Sequence, residues 1–350
     1  MRYEPMSEQV ELGLDTFGDV TVDPDGRPVP QHQVIRDLVE QGVLADEVGI
    51  DVIGVGEHHR PDFAVSAPDV VLAAIAARTS RIHLNSAVTV LSSDDPIRVF
   101  QRFATIDAIS GGRAEVTLGR GSFIESFPLF GYDLARYEEL FEDKLDLFAA
   151  LLAEEPVTWS GSTRPPLTDQ RVYPTTAGGL RPWIGVGGSP ESVVCAARYG
   201  MPLVIAIIGG PADRFAPFAD LYRRALAELG TDPLPIAVHS PGHVADTDEL
   251  AREQIWPHYR AMHDRIGRER GWPPVDRAQF EQQAGPHGAL YVGSPETVAR
   301  KIVTTVRGLG LRRFDLKYSN GPLPHPLLMR SIELYGTKVA PLVRDMLAQG

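Results

Sequence analysis

The stretch "GVGEHHRPDF" places a carboxylate, Glu57, ahead of two adjacent histidines at the end of an apolar run. Imidazoles beside a carboxylate suit either a metal ion or proton transfer near neutral pH. Neighbouring residues on a strand point to opposite sides, so His58 and His59 do not converge on one ion. No His-x-x-x-His or Cys-x-x-Cys spacing lies nearby, and no metal is expected. Two readings remain. One histidine faces a cavity as proton donor or acceptor, or a structural histidine is bonded to Glu57.

"GVGGSPESVVCAARYG" carries a second chemistry. Gly187 and Gly188 let backbone approach a ligand closely. Ser189 is a good N-cap, Pro190 suits the first helical position, and Ser192 adds a hydroxyl to the same turn. Free N–H groups, hydroxyls and the positive helix end together suit a phosphate. Plain helix capping is the alternative, and "VGSPETVARKI" repeats the Ser-Pro-Glu start with Thr297 in place of Ser192. In "LGRGSF", Arg120 stands between two glycines. Its guanidinium suits either a bidentate contact to phosphate or an ion pair with a barrel carboxylate.

The elements that must position these residues follow a recurring phrase: a helix-like stretch, a glycine, then a short apolar run. "LVEQGVLADEVG" leads to "IDVIGVGE", "FATIDAISGG" to "RAEVTLGRG", "SVVCAARYG" to "MPLVIAIIGG" and "KIVTTVRGLG" to "LRRFDLKYS". The runs read as strands apolar almost throughout, buried on both faces. "VELGLDTFG", "RIHLNSAVTVL", "RPWIGVGG" and "LPIAVHS" bring the candidates to eight. Alternating strands and helices imply a parallel sheet, and eight repeats favour a closed (β/α)8 barrel. The expected fold is one domain over 1–350, with insertions after strands 4 and 7. The first insertion holds the helix-like "LARYEELFEDKLDLFAALLA" and a Pro/Gly/Thr-rich stretch suited to a hairpin. The second holds "QIWPHYRAMHDRIGRERGWPPVD". Such insertions build a lid or an interface. Barrel active sites gather at strand C-terminal ends. Those ends here are Asp15-Thr16-Phe17, Glu57-His58-His59, Val88 to Ser92, Gly119-Arg120-Gly121, Gly187-Gly188-Ser189, His239-Ser240 and Tyr318-Ser319-Asn320.

Composition narrows the class. The net charge of −12 and the lack of a basic run argue against nucleic acid or anionic membrane as partner. No apolar run has the length of a membrane span, and "MRYEPMSEQVEL" lacks the layout of a signal peptide, so a cytoplasmic location is expected. The single cysteine, Cys195, forms no internal disulfide and sits inside a helix-like stretch as packing.

In combination, "GEHH", "SAVTVLSSDDPIRV", "ISGGRAEVTLGRGSF" and "GVGGSPESVVCAARYGMPL" resemble, in this order, the bacterial-luciferase-like flavin-dependent oxidoreductases. The resemblance runs from about Val10 to Tyr318. It implies a (β/α)8 barrel that binds FMN, or in one branch the related deazaflavin. It places phosphate binding on Arg120 and on Gly188, Ser189 and Ser192. It makes His58 the catalytic histidine, facing the flavin, with His59 turned away. It lays the flavin ring against a bulged third strand at Ala87 and Val88, where family members carry a non-proline cis peptide. The luciferases proper have a reactive cysteine just before the arginine. This chain has Gly119 there, so light emission from an aldehyde is not implied. The implied activity is a monooxygenase on a small organic substrate, with reduced FMN supplied by NAD(P)H or by a partner reductase. A deazaflavin-dependent hydride-transfer enzyme and a non-catalytic flavin-binding protein are the alternatives. The resemblance also implies a homodimer. Light scattering at micromolar concentration is expected to give twice the mass of one chain, and the mass of a single chain would contradict this.

Overall fold

The computed structural model describes residues 9–121 and 123–349, so the opening stretch read for a signal peptide lies largely outside the described residues. Eight parallel strands form the centre: β1 (Glu11–Thr16), β2 (Val52–Val55), β3 (His83–Val90), β4 (Glu115–Gly119), β5 (Arg181–Val186), β6 (Leu203–Ala206), β7 (Ile236–Val244) and β8 (Arg313–Lys317). Each pairs with its neighbour in this order, and β8 returns to β1. The β6–β7 pairing, Leu203 opposite Ile236, completes the ring. The fold is a closed (β/α)8 barrel.

Helices cover the outside. Leu12, Leu14, Ile53, Val116, Leu118, Ile184, Leu203, Phe314 and Leu316 alternate along the strands and are fully buried against them. Each such side chain contributes about 1.5–3 kcal/mol relative to exposure. The helix Pro96–Ser110 shows how local sequence sets the boundaries. Asp95 caps its first N–H groups, Pro96 occupies the first turn, and Gly111 ends it at φ 72°.

The inner face departs from the expectation of runs apolar on both sides. Glu11, Asp15, Glu115, Thr117, Arg313, Asp315 and Lys317 alternate with the outward residues and are wholly or largely buried. Strands β4 and β8 are not neighbours, so contacts between them pass through the interior. Arg313 Nη1 donates to Glu115 Oε2 at 2.7 Å, and Nη2 to Glu115 Oε1 at 3.0 Å. Arg313 Nε donates to Glu11 Oε2 at 2.7 Å. Trp183 Nε1 donates to Glu115 at 2.9 Å and stacks under the guanidinium, 4.4 Å from its centre. Burial alone would neutralise Glu115, but the Arg313 and His83 charges hold its carboxyl well below the carboxylate range.

Both expected insertions are present. Between β4 and β5 lie the helix Tyr137–Leu151 and an antiparallel hairpin, Val157–Trp159 with Leu167–Gln170. After β7 comes the helix Asp248–Arg270, capped by Thr247, then Arg277–Ala284. The strand Tyr291–Gly293 pairs with the far end of β7. Among the described residues no helix is long and apolar enough to cross a membrane.

Removing one partner of a buried ion pair leaves an uncompensated charge and costs about 3–5 kcal/mol. Arg313→Met is expected to destabilise the barrel by that amount in urea denaturation. The double variant with Glu115→Gln is expected to recover part of the loss.

Candidate active site

The strand ends named from the sequence meet at one end of the barrel. On β3, Ala87 pairs with Thr117 and Thr89 with Leu118, so Val88 is an extra residue in the register. A cis peptide joins Ala87 to Val88. Glycines at the end of β2, on β4 and on β5 make room for this bulge. A Cβ at Gly56 would lie 2.5 Å from the Ala87 carbonyl oxygen. At Gly119 and Gly185 it would lie 2.6 and 2.9 Å from the Val88 methyl groups. Such distances are shorter than side-chain packing tolerates.

His58 leaves β2 into an aromatic shell. Its ring stands 4.7 Å from Phe17, 4.6 Å from Phe63 and 5.0 Å from Phe123. This burial, reinforced by the Lys317, Arg60, His59 and Arg270 charges, pushes its pKa down to about 3. His58 is therefore a neutral imidazole throughout the physiological range. His59 is not turned to solvent. Its Nε2 lies 3.1 Å from Glu57 Oε1, and its ring packs on Phe130. Glu57 Oε2 accepts from the Val90 N–H at 3.1 Å, tying the end of β2 to that of β3. The contact with Glu57 thus falls on His59, while His58 sits within the aromatic cluster.

Arg120 extends from β4 beneath the helix Tyr137–Leu151. It pairs with Glu138, approaches Glu142 Oε1 to 4.0 Å and stacks on Phe141. Its Nε and Nη2 are buried and make no hydrogen bond among the described residues. Ser189 accepts from the Ser192 N–H at 3.3 Å and donates to Glu191 Oε2 at 2.7 Å. The Ser189 hydroxyl does most to hold the Glu191 carboxyl below its usual value, and the nearby Arg120 charge adds to it. A Cβ built on Gly187 or Gly188 meets nothing, and Gly188 sits at φ 131°. Arg120 and the 188–192 turn are thus brought together around open space.

The second Ser-Pro-Glu start is different. Asp248 accepts from the Ser294 N–H at 2.6 Å and from the Thr297 hydroxyl at 2.9 Å. An internal carboxylate occupies that helix end.

The sequence listed the ends of β1, β7 and β8 without giving them a role. The structure joins Asp15 Oδ2 to His239 Nδ1 at 2.6 Å, and Lys317 Nζ to Asp19 Oδ2 at 3.2 Å. These contacts connect residues more than two hundred positions apart, which no local motif announces. The end of the long helix reaches the mouth as well. Arg60 bonds Glu269 through two N–H groups at 2.7 Å each, and Arg265 pairs with Asp62 at 3.1 Å. A cavity of about 670 Å³ opens at the other end of the barrel, beside Trp183, Pro202 and Pro235. It lies at the strands' N-terminal side, away from all these groups, where barrels keep stability rather than chemistry.

A (β/α)8 barrel with aromatic, basic and histidine side chains converging on its C-terminal mouth is the architecture of an enzyme. Residues 16–313 match the family model described as luciferase-like monooxygenase, and the chain belongs to that family of flavin-dependent enzymes. It is 31% identical over 263 residues to a 4-hydroxyprotoasukamycin monooxygenase of Streptomyces nodosus subsp. asukaensis, covering 70% of this chain and 68% of that one. The fold is shared with the oxygenating constituent of 3,6-diketocamphane monooxygenase from Pseudomonas putida, a type II Baeyer-Villiger monooxygenase solved with FMN. That match has a TM-score of 0.76 at 20% identity and covers 95% of this chain and 98% of the other. It is shared too with an F420-dependent secondary alcohol dehydrogenase, solved with an F420-acetone adduct. There the TM-score is 0.72 at 17% identity, with 96% and 100% covered.

The depressed pKa of His58 has a consequence for stability. Unfolded histidine takes up a proton near pH 6.5, whereas folded His58 refuses it down to about pH 3. Between those values the unfolded state binds more protons, so stability falls as pH falls. His58→Gln is expected to lose less stability than the parent between pH 7 and pH 5, read from urea midpoints. Equal losses would contradict the burial described.

Proposed function

We propose that this chain is an FMN-dependent monooxygenase acting on a small organic substrate. The observation that carries the reading is the pair of buried, unpartnered N–H groups on Arg120 beside the open turn of Gly188, Ser189 and Ser192. Two charge-bearing donors without an acceptor fit a phosphate dianion, and a glycine-rich helix start completes the cradle. Ala87 and Val88 would form the platform for the flavin ring, across the mouth from the phosphate. Bound reduced flavin would supply two electrons to oxygen. They would come from NAD(P)H on this protein or from a partner reductase.

The remaining work falls to the chain itself. His58, held neutral, would donate or accept a hydrogen bond to bound flavin or substrate rather than deliver a proton as imidazolium. Phe17, Phe63 and Phe123 surround His58 and keep water from it, as oxygen chemistry would require. The Arg60–Glu269 pair fastens the end of the long helix to the exit of β2 and helps close the mouth. A homodimer in the cytoplasm belongs to the same proposal. The shared fold with an F420-dependent enzyme supports a second reading, a deazaflavin in place of FMN and hydride transfer without oxygen. The absorption spectrum of the protein after titration with each cofactor separates the two.

Losing a charge-assisted contact costs about 1.5–3 kcal/mol. Arg120→Ala is therefore expected to weaken FMN binding by roughly ten- to a hundred-fold, measured by flavin fluorescence quenching. Glu138→Gln removes the carboxylate that competes for the same guanidinium and is expected to tighten binding. Unchanged affinity in Arg120→Ala would remove the phosphate assignment.

A further inference from the structure

A second histidine stands in the mouth. His239 on β7 and Asp15 on β1 are both buried, and β8 separates their strands, so their 2.6 Å contact crosses the barrel interior. Against a carboxylate acceptor the imidazole donates from Nδ1, and in the neutral ring this tautomer leaves the Nε2 lone pair bare. Nε2 makes no hydrogen bond to a described residue and is not among the sealed polar atoms that lack a partner. Phe17 packs against both imidazoles, 6.0 Å from His239 and 4.7 Å from His58. The two histidines thus share one aromatic neighbour.

Asp15 has a second carboxylate for a neighbour. Asp315 lies beside it on β8, fully buried, with Oδ1 unpartnered. Burial first, and then the Asp15 charge, push the Asp315 carboxyl well above the usual carboxylate range. Gly13 and Gly54 give both carboxylates their space, because a Cβ at either would run into one of them.

Resting on the proposed function, the geometry points to His239 as the catalytic base that takes a proton from the substrate, with Asp15 as its positioning residue. A carboxylate that fixes the tautomer of an imidazole and balances its charge is the recurring construction for this task. The substrate class follows from the chemistry of the acceptor. It is a molecule bearing an ionisable O–H, such as a phenol or enol, whose deprotonation makes it electron-rich toward an oxygen electrophile. In this step the O–H bond breaks, its electron pair stays on oxygen, and the proton joins Nε2. No electron changes hands. The proton returns from imidazolium when the product oxygen is protonated. His58, kept neutral by its aromatic shell, leaves this role to His239.

The test has two arms. Nitrogen-15 NMR of the cofactor-free full chain, assigned by loss of the signal in His239→Gln, is expected to show His239 protonated on Nδ1. Asp15→Asn is expected to move the proton to Nε2 while the melting temperature stays within a few degrees. An Nε2–H tautomer in the parent, or no change in Asp15→Asn, overturns the proposal. In the second arm, the protein loaded with FMN, kept reduced by NADH and an added flavin reductase, is given a phenolic probe, 4-hydroxybenzaldehyde, and product formation is followed against oxygen consumption. Both His239→Gln and Asp15→Asn are expected to lower the rate by roughly 10²–10⁴-fold, with FMN affinity unchanged. Full turnover in His239→Gln overturns the proposal and leaves the flavin reading intact. If the parent binds no FMN, the flavin reading fails, and the NMR arm still decides the Asp15–His239 pair.

Discussion

The barrel depends on one guanidinium. Arg313 is almost completely buried and bonds carboxylates from β1 and β4 while stacking on an indole from β5. Together with its own strand, four of the eight strands meet at that point. A charge so deeply placed is tolerable only when every donor direction is answered. Glu11, Glu115 and Trp183 answer it, and His83 adds a contact to Glu115 at 3.2 Å. The interaction fixes the relative height of the strands at the floor. From that fixed height, each strand's C-terminal residue arrives at the mouth in a set position.

Above the floor the interior empties of bulk. Gly13 and Gly54 leave space for two carboxylates, and Gly56, Gly119 and Gly185 leave space for the bulge of β3. An interior without these glycines would fill with branched side chains, as barrel cores usually do. Here it holds acids, a histidine and a lysine under a ring of aromatic residues. Low dielectric then separates groups of similar chemistry. His58 stays neutral, while His239 has a carboxylate beside it.

The fold was legible because its signals are local. Glycine stops, apolar outer faces and proline-started helices recur along the chain, and each marks its own element. The inner face differs from the expectation of wholly apolar runs because "ELGLDT" and "RFDLK" alternate charged residues with apolar ones, and closure of the barrel buries the charged set inside. The histidine pair was legible as a choice between two roles, and the contact with Glu57 belongs to His59. Ser189 was legible as a cap because the motif spans a few residues. The Asp15–His239 contact was not. Its partners stand in unremarkable strings and meet only when β8 inserts between their strands. The Glu138 contact of Arg120 was hidden for the same reason, since it needs the packing of a whole helix on β4.

The two Ser-Pro-Glu starts carry a last consequence. They share a phrase, a cap and a proline, yet one helix end is occupied by Asp248 and the other lies open beside Arg120. The information that distinguishes them is stored elsewhere in the chain, in a single acidic residue dozens of positions upstream of the second copy. A motif of this kind behaves like a socket with an optional plug. Its vocation is decided by the neighbour the fold delivers, and lineages can turn scaffold into receptor, or receptor into scaffold, by editing a residue the motif does not contain.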